Sequence, residues 1–334
     1  MDEQYVCSQC GSYQVEEGYT VPLCKQCRER YIKYPIPWWI KIISLIIGGI
    51  VIFSLFNFSK SFKVAVAYER GIKAEKDRKY VTALKQYEKV VETFPDSTKA
   101  LTKLFIAYAK NDYLEEASKV YRKIEGRKIY DEELLKQVNA TTLELNRINN
   151  YSPELKGILE TNKNNNDTLL KLQEYSKKKP SDSMAYLYMG YTLFDMGKYN
   201  EAKEGFLRAA ELTPNSFNIN LSLAGAYRQL GEYDKAIAEC NKVLKDNVES
   251  IQAYCTLSKI ELKRHNYKEA LQLATKAYEL NTNDIHAISN ITIVYHFNKM
   301  NKECDAMFEV LKNRGYYDLD FIKGVIDGKI NIYD

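Results

Sequence analysis

Histidine, glycine and proline are all scarce in this chain, at 3, 15 and 7 among 334 residues. Three histidines leave little for a catalytic or metal-binding histidine cluster. His265 falls in a turn, and His286 and His296 stand ten apart on one helical pattern, so none pairs at ligand spacing. Sparse Gly and Pro disfavour a β-sandwich or a dinucleotide-binding sheet and favour helices. Charge of one sign is also lacking. The net charge of +4 is small and evenly spread, which argues against a dedicated nucleic-acid binder. No phosphate loop, nucleophile elbow or H-E-x-x-H string is present. Acidic pairs such as Glu115-Glu116 and Glu132-Glu133 read as solvated helix faces. The expectation is therefore a chain with no catalytic residues and no small-molecule substrate. Disorder is excluded in turn, because 45% of the residues are hydrophobic.

What is present falls into three kinds of segment. Residues 1–33 hold four of the seven cysteines, Cys7, Cys10, Cys24 and Cys27, as two Cys-x2-Cys pairs. Two thiolates separated by two residues can bind one ion on a tight turn, and four give a closed tetrahedral structural site with no open position for a substrate. The two pairs resemble the knuckles of a zinc ribbon. That resemblance implies structural Zn2+ supplying the folding energy of a module too small for a core. Iron on the same ligands, redox dithiols and spare cysteines are the alternatives. The scattered Cys240, Cys255 and Cys304 do not form a secreted disulfide framework, and Cys240 and Cys304 read as apolar fillers.

Residues 36–58 carry a single charge, Lys41, with Trp38 and Trp39 at one end. As a helix they would reach roughly 35 Å, enough for a hydrocarbon core of about 30 Å. The expectation is a single-pass transmembrane helix. Four unprotected thiols place the N-terminus on the reducing, cytoplasmic side and the remainder outside. The Lys and Arg count on the two flanks slightly favours the opposite orientation. The arrangement resembles that of bacterial membrane proteins with a cytosolic zinc ribbon and an exported domain, which implies a bacterial cell membrane.

From residue 64 the chain repeats itself. Ser183–Ser216, Phe217–Ser250, Ile251–Asp284 and Ile285–Asp318 align as four blocks of 34 residues without gaps. Gly197-Lys198-Tyr199-Asn200-Glu201-Ala202 recurs as Gly231-Glu232-Tyr233-Asp234-Lys235-Ala236. Gly190, Ala202, Ala224, Ala236 and Ala270 are small where two helices must approach. Gly197 and Gly231 suit a positive-φ turn, and Asn200 and Asp234 could cap the second helix of each pair. Two further copies occupy 64–130, residues 131–182 read as a degenerate repeat or linker, and 319–334 as a capping helix and tail.

This pattern resembles the tetratricopeptide repeat family. The resemblance implies an all-α solenoid of about six to seven helix pairs whose first helices line a concave groove. It also implies a protein or peptide partner, with no nucleic acid for the repeats. On that groove fall Met184, Leu187, Tyr191, Phe194, Leu221, Arg228, Lys259 and Phe297. The first four could equally pack against a neighbouring helix. The Lys and Asn clamp of chaperone-binding members is absent at the matching places. The implied function is a membrane-anchored scaffold. The alternative is a transmembrane transducer whose cysteine module contacts a cytosolic protein or nucleic acid.

Overall fold

The computed structural model describes residues 6–33, 36–149, 152–161, 164–214 and 216–333, and the side chains of 32–33, 55–60, 147–149 and 161 lie outside that description. Among the described residues every regular element is an α-helix. The chain divides into two compact units, Met1–Lys63 and Val64–Asp334.

The first unit contains a cysteine-bearing loop, α1 (Lys25–Lys33) and the start of α2 (Trp38–Lys76). The membrane-spanning segment expected over 36–58 is not found. No helix among the described residues is long and apolar enough to cross a membrane. Toward its end α2 turns polar, and Val64, Ala67 and Ala74 are buried in the repeat core. Ile42–Phe53 itself is largely exposed. The single-pass localisation, with its inside and outside assignments, falls with that finding.

The second unit holds the end of α2 and fifteen further helices. In order they are α3 (Tyr80–Thr93), α4 (Thr98–Lys110), α5 (Leu114–Ile124), α6 (Glu132–Asn149), α7 (Pro153–Thr161), α8 (Asn165–Lys178), α9 (Ser183–Asp195) and α10 (Tyr199–Leu212). They continue with α11 (Phe217–Gln229), α12 (Tyr233–Asp246), α13 (Ile251–Lys263), α14 (Tyr267–Leu280), α15 (Ile285–Phe297), α16 (Asn301–Asn313) and α17 (Leu319–Ile326). Successive helices pack as antiparallel pairs, and the first helices of neighbouring pairs touch, α11 on α13 and α13 on α15. This is an all-α helical solenoid.

Local chemistry sets the helix ends. Ser97, Asp182, Ser250 and Asp284 cap first helices, their side-chain oxygens accepting from backbone N–H groups two or three residues on. The second helices start differently. Asn200 and Asp234 lie inside α10 and α12, whose N-caps are Lys198 and Glu232 with no side-chain bond. The left-handed residue before each cap turns the chain so abruptly that the helix begins ahead of the Asx residue. That residue is Gly197 (φ 73°) or Gly231 (φ 74°) in two repeats. Arg78 (φ 56°), Asp112 (φ 62°), His265 (φ 61°) and Lys299 (φ 59°) hold the same place in four others.

Residues 131–182 resolve into two parts. α6 stacks on α4, and α7 and α8 form a pair whose second helix packs on α9. Leu172 and Tyr175 on α8 are buried, and the Tyr175 hydroxyl donates to Asp182 at 2.7 Å. Thr168, Leu172, Tyr175 and Pro180 stand 34 residues before Ala202, Phe206, Ala209 and Pro214. The α7–α8 pair is thus a repeat with a shortened first helix. At the other end, α17 lays Ile322 and Val325 over α15.

The second unit also closes on itself, which the repeat pattern does not foretell. The Arg78 guanidinium donates to the Lys245 carbonyl, and its own carbonyl accepts from the Val248 N–H at 3.1 Å. Glu249 accepts from both the N–H and the hydroxyl of Thr82, each at 2.7 Å. Asn247 donates to the Lys110 carbonyl and to Asn111 Oδ1, while the Tyr113 hydroxyl donates to Asp284 at 3.0 Å. Val81 is buried among Ala224, Cys240 and Ile251. The first two repeats therefore bond to the loops after α12 and α14, far along the array.

Candidate functional site

Two places concentrate chemistry. In the first unit the ligand atoms of Cys7, Cys10, Cys24 and Cys27 all lie within 4.8 Å of one another. A Gly11 N–H to Cys7 carbonyl bond closes the first turn, with Gly11 at φ 72°. Ser8 and Glu16 bond back to Pro22 and Leu23, which brings the second pair alongside. That pair opens α1 rather than a second ribbon hairpin. Cys10 Sγ is 3.6 Å from Cys24 Sγ. Four sulfurs at about 2.3 Å around one zinc would stand about 3.8 Å apart, so the donor set fits a tetrahedral ion. The thiols already feel one another. Backbone N–H groups, that of Cys24 foremost, pull Cys7 down to about 6, and the crowding sulfurs, Cys24 first, push Cys27 up to about 12. The cluster could hold a metal ion.

The lone cysteines behave otherwise. Cys240 and Cys304 are buried, and burial raises their thiols to about 12 and about 11, away from any reactive thiolate.

In the second unit the eight expected groove residues divide. Met184 and Leu187 are buried in the core around Phe206 and Leu172. The Tyr191 ring meets Phe206 edge-on at 5.5 Å and its hydroxyl accepts from Ser222 at 3.1 Å. Phe194 meets Tyr199 at 5.1 Å, Leu221 packs beside Tyr254, and Phe297 stacks on Tyr267 at 5.9 Å. These six sit in helix–helix packing. Arg228 and Lys259 instead come together on one cavity of about 300 Å³, where the ends of α11 and α13 meet α15 and the C-terminal segment. Burial lowers the pKa of both, and the neighbouring guanidinium lowers Lys259 further. Lys259 is nonetheless exposed to solvent and lines the cavity. Among the described residues neither cation forms an ion pair with a carboxylate.

Sequence reasoning missed Asn290 and Gln229 in this cavity. Asn290 is 1% exposed, and neither its amide nitrogen nor its oxygen has a partner. Gln229 Oε1 and Arg228 Nε are likewise buried and unpaired. The available signal was the polar pair Ser289-Asn290 between Ile288 and Ile291 on a largely apolar helix. The cavity wall formed by Phe321, Ile330 and Ile332 had no signal, because a tail carries no repeat register.

Residues 193–259 match the tetratricopeptide repeat family model. The second unit is accordingly a tetratricopeptide-like solenoid. The chain is 28% identical over 103 residues to the protein O-mannosyl-transferase TMTC1 of Homo sapiens, which covers 31% of this chain and 12% of that protein. It is 26% identical over 220 residues to a TPR repeat-containing protein of Methanocaldococcus jannaschii, covering 65% of this chain and 36% of that one. The chain thus spans little more than a third of the longer-matched relative. A tetratricopeptide repeat protein from Parabacteroides merdae superposes on 80% of this chain and 99% of its own, at 14% identity and a TM-score of 0.45.

Proposed function

We propose that the helical array is a scaffold that holds a protein or peptide segment along its stacked first helices. One observation carries this reading. The run α11, α13, α15 is continuous, and it ends in a cavity where the Asn290 amide, Gln229 Oε1 and Arg228 Nε are buried without partners. Buried unpaired groups destabilise a fold unless something else satisfies them. No nucleophile, base and orienting group converge there, so the arrangement suits binding rather than bond-making. Panning a displayed peptide library against the full chain tests the reading. Enriched peptides carrying a photocrosslinker should label α11, α13 or α15. Labelling of α12, α14 or α16, or no enrichment at all, would refute it.

The cysteine cluster serves this scaffold as a structural centre, with Cys7, Cys10, Cys24 and Cys27 holding one Zn2+. The sulfur spacing supports it, as does a core that among the described residues adds only Leu23 and Val15 to the cysteines. Elemental analysis of purified protein should find one equivalent of zinc, lost on substituting Cys24 by Ser. A coloured, iron-loaded protein would replace zinc by iron. Metal-free protein with an intact loop would overturn the assignment.

A further inference from the structure

We infer that residues 329–333, folded back from α17, are a displaceable strap that occupies the end of the array's first-helix surface and must leave before a partner can use it. This deepens the scaffold reading and rests on it.

The strap starts at a defined hinge. Gly328 takes φ 71° just past α17. Its N–H donates to the Val325 carbonyl at 3.1 Å, and the Lys329 N–H donates to the Gly324 carbonyl at 2.8 Å. This pair of bonds ends the helix and turns the chain back on itself. Before the hinge, Ile322 and Val325 of α17 are buried in the core. After it, Ile330 and Asn331 are exposed, and Ile332 and Tyr333 are only half-buried. The helix is thus anchored, and the segment that follows it is not.

The segment returns over the first helices. Ile330, Asn331 and Ile332 line the same cavity as Gln229 at the end of α11, Lys259 of α13 and Asn290 of α15. Further on, the Tyr333 ring stacks on His265 at 4.3 Å and meets Phe297 edge-on at 5.8 Å, and its hydroxyl is 3.0 Å from that of Tyr267. Side chains do the holding. Among the described residues, no backbone-to-backbone hydrogen bond joins 331–333 to the array. The cover is also mismatched. Ile330 and Ile332 are apolar, yet the cavity they line holds the Asn290 amide and Gln229 Oε1, buried without partners. Buried polar groups left unpaired disfavour the closed arrangement. Partial exposure and few backbone bonds put the segment at the low end of local stability. A competing chain can therefore displace it without unfolding α17.

The test uses the full chain and a fluorescein-labelled peptide enriched by the library panning above. A strap that is docked most of the time lowers apparent affinity in proportion to the fraction of chains left open. Tyr333→Ala removes the anchoring ring and should bind the peptide about three- to tenfold more tightly than the parent. Gly324→Ala should act in the same direction without altering the strap's own sequence, because a Cβ there would stand 2.5 Å from Ile330 Cδ1. A plain end cap behaves otherwise, since loosening it lowers the melting temperature and leaves affinity unchanged. Affinity unchanged or lowered in both variants overturns the inference. Hydrogen exchange on the parent is the second measurement. The amides of 330–333 should exchange faster once the peptide is bound. Unchanged or slower exchange overturns the strap and leaves the scaffold reading standing. Failure of the panning with the parent and Tyr333→Ala alike would instead remove the scaffold reading.

Discussion

Gly190 on α9 lies directly under the ring of Phe206 on α10, so a Cβ at Gly190 would stand 2.4 Å from two of the ring carbons. Helix and ring share one space, and the repeats trade it between them. Gly71 faces Tyr87 in the first repeat with the same 2.5 Å conflict. Where the second position shrinks to Cys240 or Ala274, the first grows to Ala224 or Ser258, and all four are fully buried.

Gly190→Ala should therefore destabilise the array by about 1–3 kcal/mol, the usual penalty for overpacking. The loss should shrink in a Phe206→Leu background, since the ring is what the methyl meets. Denaturant midpoints of the four proteins in the cycle check this. Additive losses would place the strain elsewhere.

A second prediction concerns the left-handed turn residue. Lys299 is exposed and holds φ 59° where two other repeats carry Gly. A side chain in that region costs roughly 1–2 kcal/mol, partly offset by the greater freedom Gly gives the unfolded chain. Lys299→Gly should raise stability by about 0.5–1 kcal/mol at unchanged denaturant slope. Gly197→Lys should lower it by a similar amount.

These two positions show how far the sequence was legible. The small positions, Gly190 and Ala224 among them, were visible because they recur at a fixed spacing, but their trade against Phe206 and Cys240 was not. The left-handed turn was visible at Gly197 and Gly231 alone, because Arg78, Asp112, His265 and Lys299 adopt the same backbone without advertising it. The α7–α8 pair was half hidden, since its shortened first helix keeps no repeat signature. The cysteine cluster could be read from spacing, and so could the candidacy of Arg228 and Lys259. The apolar stretch at 36–58 was over-read as a span, since no helix among the described residues is long and apolar enough to cross a membrane. The closure between the first repeats and the loops after α12 and α14 was illegible. It depends on curvature accumulated over several repeats, which no local pattern encodes.

That closure is testable at Asn247. The side chain is 3% exposed and donates to the Lys110 carbonyl at 3.0 Å and to Asn111 Oδ1 at 3.2 Å, while its own oxygen accepts from the Glu249 N–H at 3.0 Å. Asn247→Ala leaves a buried carbonyl and amide oxygen unpaired, a loss of about 1–3 kcal/mol. The informative readout is amide hydrogen exchange. Exchange in α3–α5 should quicken although the mutation lies on the loop after α12, because the two regions protect each other. Faster exchange confined to α12 and α13 would mean that the contact does not couple them.

Asp112 gives the closure a pH dependence. It occupies the left-handed turn between α4 and α5 and lines a small cavity with Glu144, Asn218 and Asp246. Burial is the main cause that raises its carboxyl from 3.8 to about 7; the Asn218 side chain opposes the shift by hydrogen bonding, and Glu144 adds to it. Below about pH 4 the folded and unfolded chains both hold the proton. Between about pH 4 and pH 7 the unfolded chain releases it while the folded chain keeps it, so stability falls as pH rises. Above about pH 7 both are ionised and the penalty is constant. At about 1.4 kcal/mol per unit the whole shift is worth at most on the order of 4 kcal/mol, less in practice because water reaches part of the carboxyl. Asp112→Asn keeps a residue that tolerates the left-handed backbone and removes the charge. The variant should match the parent near pH 4, exceed it in melting temperature near pH 8, and show a flatter profile between. Parallel profiles for the two proteins would show that Asp112 is not the group that titrates.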